Sequence, residues 1–236
     1  MISFIVPAHN EEHELAASLR AIIEAADAIA KSYELVVVDD DSTDATAEIA
    51  RSFGARVEQV RLRQIAAVRN GGARVAKGDI FFFVDADTHI NANTLAAALR
   101  ALNAGYVGGS ARLKLDAKVP LWATVFIFLF CAVYFALNLG VGAFIFTRRE
   151  HFEAVGGFDE NYFAGEEMYL TLALRKRGRF IVLKEPVTTS ARKVRMHSPG
   201  YLYRQWLAMV FGGKGVLRGR KHLDIWYDGK RERPTP

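Results

Sequence analysis

Short apolar runs alternate with helical patterns through the first hundred residues. The apolar runs are continuous, and polar residues follow them, so we predict each one as a strand. These strands lie at 3–8, 34–42, 56–60 and 79–87, and the predicted helices at 11–30, 43–54, 64–77 and 91–105. Buried strands that alternate with helices are typical of a parallel sheet covered on both faces. The sequence therefore predicts an α/β fold with a mainly parallel central sheet flanked by helices.

Length and charge narrow the class of protein. The 236 residues are 51% hydrophobic, enough for one large domain or for a domain with a small appendage. The single cysteine, Cys131, excludes an internal disulfide and suits a reducing compartment. The N-terminus shows no signal-peptide pattern, so we expect a cytoplasmic location.

Residues 191–236 hold eleven Lys or Arg against three acidic residues. Such a segment indicates an anionic partner, or is simply a solvated basic tail.

Two carboxylates, Asp85 and Asp87, follow the apolar residues 80–84. Alternate residues of a strand share one face, so both side chains can reach one site. Hard oxygen ligands suit Mg²⁺ or Mn²⁺, and Mg²⁺ is often held by one or two carboxylates together with substrate phosphates. A metal ion that bridges to a diphosphate would offset the repulsion between the two aspartates. The alternative is that Asp87 or Thr88 caps the next helix.

An acidic run, 39–44, follows the second predicted strand. In an open α/β sheet, ligands bind at the carboxyl ends of the strands. Carboxylates placed there can accept hydrogen bonds from a nucleobase or from ribose hydroxyls. Capping of the following helix by Ser42 or Thr43 is the alternative, and the run holds more acids than one cap requires.

Five motifs occur along the chain in an order that is specific as a set. They are IVPAHNEE, VVVDDDSTDAT, RNGGARVAKGDIFFFVDADT, GGFDE, and GEE before a helix that ends in LRKRG. With them the chain resembles the family 2 glycosyltransferases of the GT-A fold over roughly residues 2–190. The resemblance implies a catalytic domain over 1–198, with a nucleotide-binding half (1–110) and an acceptor half (111–198). A basic, aromatic extension would follow at 199–236.

The resemblance also implies roles for single residues. Asp40 would pair with the nucleobase, usually uracil, and Asp85 and Asp87 match the Asp-X-Asp element, with Asp87 the direct metal ligand. Arg69 would lie near the nucleotide. The residues that would bind the nucleotide sugar are Pro7, Ala8, Asn10, Glu11, Asp39, Asp40, Arg69, Asp85 and Ala86.

The candidate base is Glu167, with Glu166 as the alternative. Family members usually carry Glu-Asp here, and the Asp commonly serves as the base. A helix N-terminus stabilises a carboxylate, so we expect Glu167 to be ionised at neutral pH and able to accept a proton. The other interpretation is that both glutamates only favour the start of the helix. Positive charge for the diphosphate would come from Arg192, Lys193 and Arg195.

Residues 119–147 form an uncharged stretch of the chain. Its most apolar part, 121–137, falls short of the ~20 residues that span a bilayer. A single crossing would also separate Asp85 and Asp87 from Glu167. We therefore expect 119–138 to be a helix that is buried in the core, packed against a second copy of the chain, or lying in a membrane interface.

These patterns predict an inverting, metal-dependent glycosyltransferase that acts at the inner face of the membrane. It would transfer a sugar from a nucleotide sugar, UDP-linked by expectation, to a lipid-linked, glycan or other hydroxyl acceptor. The cofactor would be Mg²⁺ or Mn²⁺. Contact with anionic membrane is expected, and a nucleic-acid partner is not. A catalytically silent nucleotide-sugar-binding or scaffold protein is the alternative, because Glu166-Glu167 departs from the family's Glu-Asp.

Overall fold

A computed structural model describes residues 1–211, 213–219 and 223 of the chain. Within these residues eight strands form one sheet, in the order β3-β2-β1-β4-β7-β6-β8-β5. The strands are β1 (Ile2–Ala8), β2 (Tyr33–Asp40), β3 (Arg56–Val60), β4 (Ile80–Val84), β5 (Thr88–His89), β6 (Gly108–Leu115), β7 (Phe144–Arg148) and β8 (Phe180–Thr189). The helices are α1 (Leu15–Asp27), α2 (Thr46–Ser52), α3 (Ile65–Val75), α4 (Ala92–Asn103), α5 (Leu121–Ala136), α6 (Arg149–Ala154), α7 (Glu166–Arg175), α8 (Arg192–Met196), α9 (Pro199–Phe211) and α10 (Gly213–Leu217).

The first four strands of the sheet are parallel, and the rest of the sheet is mixed. β3, β2, β1 and β4 run parallel to one another, whereas β7 is antiparallel to both β4 and β6. β8 is parallel to β6 and antiparallel to β5. The predicted α/β fold with helices around a central sheet is confirmed.

Strand β6 was not predicted from the sequence. Its sequence, GGSARLKL, opens with two glycines and ends with alternating charged and apolar residues. Glycine and lysine are depleted in strands, so the local pattern is weak. Pairing with neighbouring strands stabilises β6 despite its weak local preference for a strand, because β6 lies between β7 and β8 and its first four residues are buried. The expected boundary between 110 and 111 falls within this strand.

The three phenylalanines of β4 fill both sides of the sheet. Phe81 and Phe83 pack edge-on against Phe152 and Phe158 on one face. Phe82 lies on the other face, with its ring centroid 5.3 Å from that of Phe4. Alternation along a strand explains why the apolar run is continuous: each face covers its own core.

Helix α3 lies close to the sheet because of a glycine. A Cβ on Gly72 would lie 2.4 Å from Cγ2 of Ile5 and 2.7 Å from Cγ2 of Val38. Such distances are too short for any side chain, so only glycine permits this approach. The close packing fixes Arg69, which lies on the same helix, under the edge of the sheet where β1, β2 and β4 end.

The structure places the end of β4 and the start of α1 at other residues than the sequence predicted, and both differences affect the site. The strand predicted over 79–87 ends at Val84, and residues 85–87 form a turn in which the Thr88 amide donates to the Asp85 carbonyl. The helix predicted over 11–30 begins at Leu15, and the Glu11 amide before it donates to Thr46 Oγ1. Both changes leave acidic residues in turns at the carboxyl edge of the sheet.

The apolar segment forms a helix, as predicted, and it is not a core helix. α5 has 16 residues, and Leu121 and Leu129 on it are 79% and 58% exposed. Of the three alternatives stated above, burial in the core is therefore excluded for the side of α5 that carries Leu121 and Leu129. Among the described residues, no helix combines the length and apolar character needed to cross a bilayer.

Candidate active site

Polar residues from three neighbouring strands meet at one edge of the sheet. Ala8, the last residue of β1, is in register with Asp39 of β2, and β4 on the other side of β1 ends just before Asp85. The structure thus groups the predicted nucleotide-sugar residues at the edge where α/β sheets bind ligands. Pro7, Ala8 and Ala86 are buried within this group.

The turns after β1 and β2 hold each other in place. The Asn10 amide donates to Ser42 Oγ at 2.9 Å, and Asn10 Oδ1 accepts from the Thr43 amide at 2.8 Å. Asn10 and Asp41 have left-handed backbone angles, with φ of 53° and 61°. Non-glycine residues in this region are strained, and such strain concentrates at ligand sites. The strained turns give the edge of the sheet a fixed shape.

The side chain of Asp40 is buried, and it accepts hydrogen bonds from backbone amides. Its carboxylate accepts hydrogen bonds from the Leu62 amide at 2.7 Å and from the Arg63 amide at 2.9 Å. The carboxylate therefore holds the loop between β3 and α3 against the end of β2. Its predicted pairing with a nucleobase stays a prediction.

Two residues of this region were missed in the sequence. His9 Nδ1 lies 2.8 Å from the Asp40 carbonyl oxygen, and the Arg63 guanidinium contacts the same ring. Since a carbonyl only accepts, Nδ1 carries the proton, and a neutral ring leaves Nε2 to accept. His9 belongs to the IVPAHNEE motif and could have been selected from it. Arg63 has a φ of 52°, which no local sequence signal reveals.

The positive charges beside Asp85 and Asp87 are two arginines from distant parts of the chain. Arg69 Nη2 lies 2.7 Å from Asp85 Oδ1, and Arg192 Nη2 lies 3.0 Å from Asp87 Oδ2. Arg192 also binds both carboxylate oxygens of Glu11, at 2.5 Å and 2.8 Å. Each aspartate thus has one arginine beside it, and these two contacts offset part of the repulsion between Asp85 and Asp87.

Arg69 joins the two halves of the site. It is 2% exposed, and its Nη1 lies 2.6 Å from Glu166 Oε1 while its Nη2 binds Asp85. Burial alone would lower the pKa of its guanidinium, but Asp85 and Glu166 raise it, so Arg69 is a permanent cation. Arg69 Nε is buried and has no hydrogen-bond partner among the described residues. We expected Arg69 near the nucleotide, and it lies between Asp85 and the predicted base.

The charges of the site fit a divalent cation. Burial raises the pKa of the Asp87 carboxyl to about 6, Arg192 opposes this effect, and Asp85 and Glu11 add to it. Since burial is the largest cause and like charges add to it, a cation bound beside Asp87 would favour the ionised carboxylate. No group of three potential metal-ligating side chains occurs among the described residues. A pair of carboxylates is the number that Mg²⁺ uses when substrate phosphates complete its shell.

Glu166 and Glu167 begin α7, after Gly165, whose φ is 75°. Glu166 is buried and paired with Arg69, whereas the Thr171 hydroxyl donates to the backbone carbonyl of Glu167. Burial, and then the charge of Glu166, raises the pKa of the Glu167 carboxyl to about 8. The expectation that Glu167 is ionised at neutral pH is therefore wrong for the protein without ligand. Burial and a like charge outweigh the helix N-terminus.

Tyr134 of α5 is a further neighbour that the sequence did not indicate. Burial raises the pKa of its phenol, and the charges of Glu167 and Glu166 add to the effect. The segment after α5 is bonded to α7, because the Gly140 amide donates to Thr171 Oγ1 at 3.2 Å. The inner side of the apolar helix therefore borders the two glutamates.

The three predicted diphosphate residues take different positions. Arg192 lies in the site, 12% exposed, between Glu11 and Asp87. Lys193 lowers the pKa of Asp87, which places its charge near the same carboxylate. Arg195 lies 3.5 Å from Asp116 at the end of β6. The first two are thus positioned at the aspartates, and Arg195 contacts a neighbouring loop.

Comparison with known proteins identifies the family. The sequence model of glycosyl transferase family 2 matches residues 3–156. This chain belongs to glycosyltransferase family 2. One relative is an undecaprenyl-phosphate 4-deoxy-4-formamido-L-arabinose transferase of Edwardsiella ictaluri, 34% identical over 113 residues, which are 44% of this chain and 34% of the relative. Another is a dolichol-phosphate mannosyltransferase of Pyrococcus furiosus, 28% identical over 51% of this chain and 36% of the relative. The matched regions thus span little more than a third of these relatives.

Solved structures show the same fold. The mannosyltransferase PcManGT of Pyrobaculum calidifontis, in complex with GDP-Man and Mn²⁺, has a TM-score of 0.69 at 21% identity, over 96% of this chain and 67% of that one. TarS of S. aureus, in complex with UDP-GlcNAc, has a TM-score of 0.63 at 20% identity, over 96% and 72%. The fold of this chain is the GT-A fold.

Proposed function

We propose that this chain is an inverting, metal-dependent glycosyltransferase that moves a sugar from a nucleotide sugar to a lipid-borne, glycan or other hydroxyl acceptor. The observation that carries the proposal is the position of Arg69. One guanidinium binds Asp85, at the strand edge where a nucleotide would lie, and Glu166, beside the predicted base. Arg69, which lies 97 residues before Glu166 in sequence, would therefore hold a group at the donor end and a group at the acceptor end in one site.

The donor would lie across the ends of β1, β2 and β4. The strained turns at Asn10 and Asp41 and the loop held by Asp40 form the walls where the base and ribose would bind. We retain a UDP-sugar as the donor, with Asp40 and Asp39 facing the nucleoside. Relatives of the same fold are described in complex with UDP-GlcNAc and with GDP-Man.

Asp85 and Asp87 would hold a Mg²⁺ or Mn²⁺ ion, which supplies positive charge to the departing diphosphate. Arg192 and Lys193 lie beside Asp87 and would add positive charge at the same place. Arg195 would join them only if its contact with Asp116 opens. Two Mn²⁺ complexes among the structural relatives support the choice of ion.

Glu167 would take the proton from the acceptor hydroxyl. Of the two glutamates that begin α7, Glu166 is the one that Arg69 binds, and it would serve to position Arg69. With a pKa of about 8, the Glu167 carboxyl is a stronger base than an ordinary glutamate once it is ionised. Attack from the face of the sugar opposite the diphosphate would invert the anomeric centre.

The division into a catalytic domain (1–198) and an extension (199–236) is part of the proposal. The extension begins with α9 and α10, and most of 214–236 lies outside the described residues. That segment carries seven Lys or Arg and three acidic residues, and we propose that it contacts anionic lipid at the inner face of the membrane. Two of the relatives named above carry a lipid phosphate in their names.

A thermal-shift screen of nucleotide sugars, each with and without Mn²⁺, tests the proposal. We expect one nucleotide class to raise the Tm, and Mn²⁺ to be required for most of the rise. Asp87→Asn should abolish the part of the rise that depends on Mn²⁺, and Asp79→Asn, at an exposed carboxylate, should leave that part intact. A shift with no need for metal in the wild type would contradict the metal role.

A further inference from the structure

Large apolar side chains of α5 face solvent on one side of the helix. Leu121, Val125 and Leu129 are four residues apart, so they form one stripe, and they are 79%, 50% and 58% exposed. Trp122 lies beside Leu121 and is 38% exposed. These four residues are here called the α5 face. A contiguous apolar patch on a soluble surface usually marks a site of contact with protein or lipid.

The length and the opposite side of α5 favour a helix that lies in a membrane surface. Sixteen residues extend about 24 Å, which is shorter than the ~30 Å hydrocarbon core of a bilayer. A free interfacial helix needs a charged side for the water. α5 has no charged residue, but the protein covers its other side: Ala123 is 1% exposed, and Asn138 after the helix donates to the Phe180 carbonyl at 2.7 Å.

Basic residues lie at both ends of the helix. Lys118, exposed, precedes α5, and Arg175, exposed, donates to the carbonyl of Leu137 just after it. Asp116, the nearby acidic residue, is 3.5 Å from Arg195. Basic ends around an apolar face match a bilayer, whose headgroups are anionic and whose interior is apolar. A second copy would bring like charges together in either orientation, so we assign the face to lipid.

The inner side of the same helix borders the predicted acceptor site. Gly140, just after α5, donates through its amide to Thr171 Oγ1 of α7, and α7 begins with Glu166 and Glu167. Gly142, two residues further on, accepts a hydrogen bond from Arg69 at 3.1 Å. One short segment therefore connects the α5 face to the catalytic carboxylates.

We infer that the α5 face docks on a lipid bilayer and so presents Glu167 to an acceptor carried by that bilayer. The inference rests on the proposed function for the role of Glu167, and it deepens that function by naming the acceptor class as a membrane amphiphile. The polar head of such an acceptor would lie at the headgroup level, where the basic ends of α5 lie. Its apolar chain would remain in the bilayer.

Vesicle flotation tests the inference on the full chain. The vesicles are phosphatidylcholine alone, or equal parts phosphatidylcholine and phosphatidylglycerol. Leu121→Glu and Leu129→Glu should each lower the partition coefficient by roughly tenfold or more in both, because a buried leucine is replaced by a charge. The matched control is Leu172→Glu on α7, an exposed leucine outside the α5 face, which should bind as the wild type does. Tm values should show that all three variants fold.

Fluorescence locates the contact. Lipids brominated in the acyl chains should quench the tryptophan emission, and Trp122→Phe should remove most of that quenching. Equal flotation of the wild type and both α5 variants would overturn the inference. The inference would also be overturned if light scattering showed that the wild type is a dimer and that Leu129→Glu is a monomer, because the α5 face would then join two copies of the chain. Release of nucleoside diphosphate from nucleotide sugars is measured in parallel, with vesicles and candidate acceptors present. Absence of release counts against the proposed function, whereas the flotation result tests the membrane contact alone.

Discussion

At the scale of single residues, the site is a set of buried charges that control one another. Arg69 and Arg192 neutralise part of a group of five carboxylates that includes Asp85 and Asp87. Burial is the largest cause of the raised pKa values of Asp87, about 6, and Glu167, about 8, and neighbouring carboxylates add to both. A cation bound near either group would therefore favour its ionised form.

Glu167→Gln should lower the turnover number by about 10²–10⁴, because the amide cannot accept the proton. The affinity for the donor should change little. Transfer by the wild type should rise with pH until the Glu167 carboxyl is ionised, near pH 8. Rates and donor affinities are measured separately, with Glu153→Gln, an exposed glutamate, as the control. If Glu166→Gln is inactive and Glu167→Gln is active, Glu166 is the base.

The same substitution has a stability signature. The folded-state pKa of Glu167 lies above its unfolded value of 4.5, so the ionised carboxylate destabilises the fold as pH rises from about 4.5 to 8. Glu167→Gln removes this penalty. The Tm of the variant minus that of the wild type should be near zero below pH 4.5, grow up to pH 8 and then stay constant. A constant difference across this range would mean that the pKa of Glu167 is not raised.

Arg192→Gln should change metal binding in two opposite directions. Without nucleotide, the substitution removes the guanidinium that competes with Mn²⁺ for Glu11 and Asp87. The affinity of the protein for Mn²⁺ should therefore rise several-fold. With UDP present, affinity for the Mn²⁺–UDP pair should fall by roughly tenfold, since a charged hydrogen bond to phosphate is lost. Calorimetry with Mn²⁺ alone and with Mn²⁺ and UDP measures both. Arg100→Gln, an exposed pair with Glu185, is the control. A loss in both titrations would make Arg192 a purely structural residue.

At the scale of elements, the alternation of strands and helices was readable because each buried strand is a continuous apolar run. β1, β2 and β4 were predicted in this way, and their ends correctly located the polar groups of the site. β6 and the contacts of Arg192 were not predictable: the strand has a weak pattern, and Arg192 meets Glu11 across 181 residues of sequence. Pairings of this kind depend on the assembled sheet, and local periodicity carries no information on them.

The loop between β3 and α3 gives a prediction at this scale. Asp40→Ala removes the acceptors of the Leu62 and Arg63 amides, so the protein should lose roughly 1–3 kcal/mol of stability. Both amides should then exchange hydrogen faster, and the affinity for the donor should fall. Asp27→Ala, at an exposed carboxylate bonded to Tyr33, is the control. Unchanged exchange at both amides would show that Asp40 does not hold the loop.

At the scale of the whole molecule, one sheet carries both halves of the site, and the basic charge is concentrated at one end of the chain. Because the sheet is continuous from β3 to β5, the groups that we propose for donor and acceptor keep a fixed relation that a flexible linker would not give. The charge imbalance was visible in the sequence, whereas the exposure of the α5 face was not. An uncharged helix looks the same in sequence whether it is buried or exposed.

The basic extension should add to membrane binding by charge alone. Replacing Arg220, Lys221, Lys230, Arg231 and Arg233 with Gln should weaken binding to anionic vesicles, at about 1 kcal/mol for each residue near the surface. Binding to phosphatidylcholine vesicles should not change. High salt should reproduce the effect in the wild type. Equal flotation of both proteins with anionic vesicles would exclude the extension from the membrane contact.

The measurement that tests the central claim most directly is the release of nucleoside diphosphate from a panel of nucleotide sugars in the presence of Mn²⁺. The wild type, Asp87→Asn and Glu167→Gln are compared, and binding of the same donors is measured by calorimetry. We expect the wild type to release diphosphate from one donor class, Asp87→Asn to lose both release and the effect of Mn²⁺ on binding, and Glu167→Gln to bind normally while release falls. Saturable donor binding by the wild type, with no release from any donor even when vesicles and candidate acceptors are added, would contradict the account and indicate a silent nucleotide-sugar-binding protein.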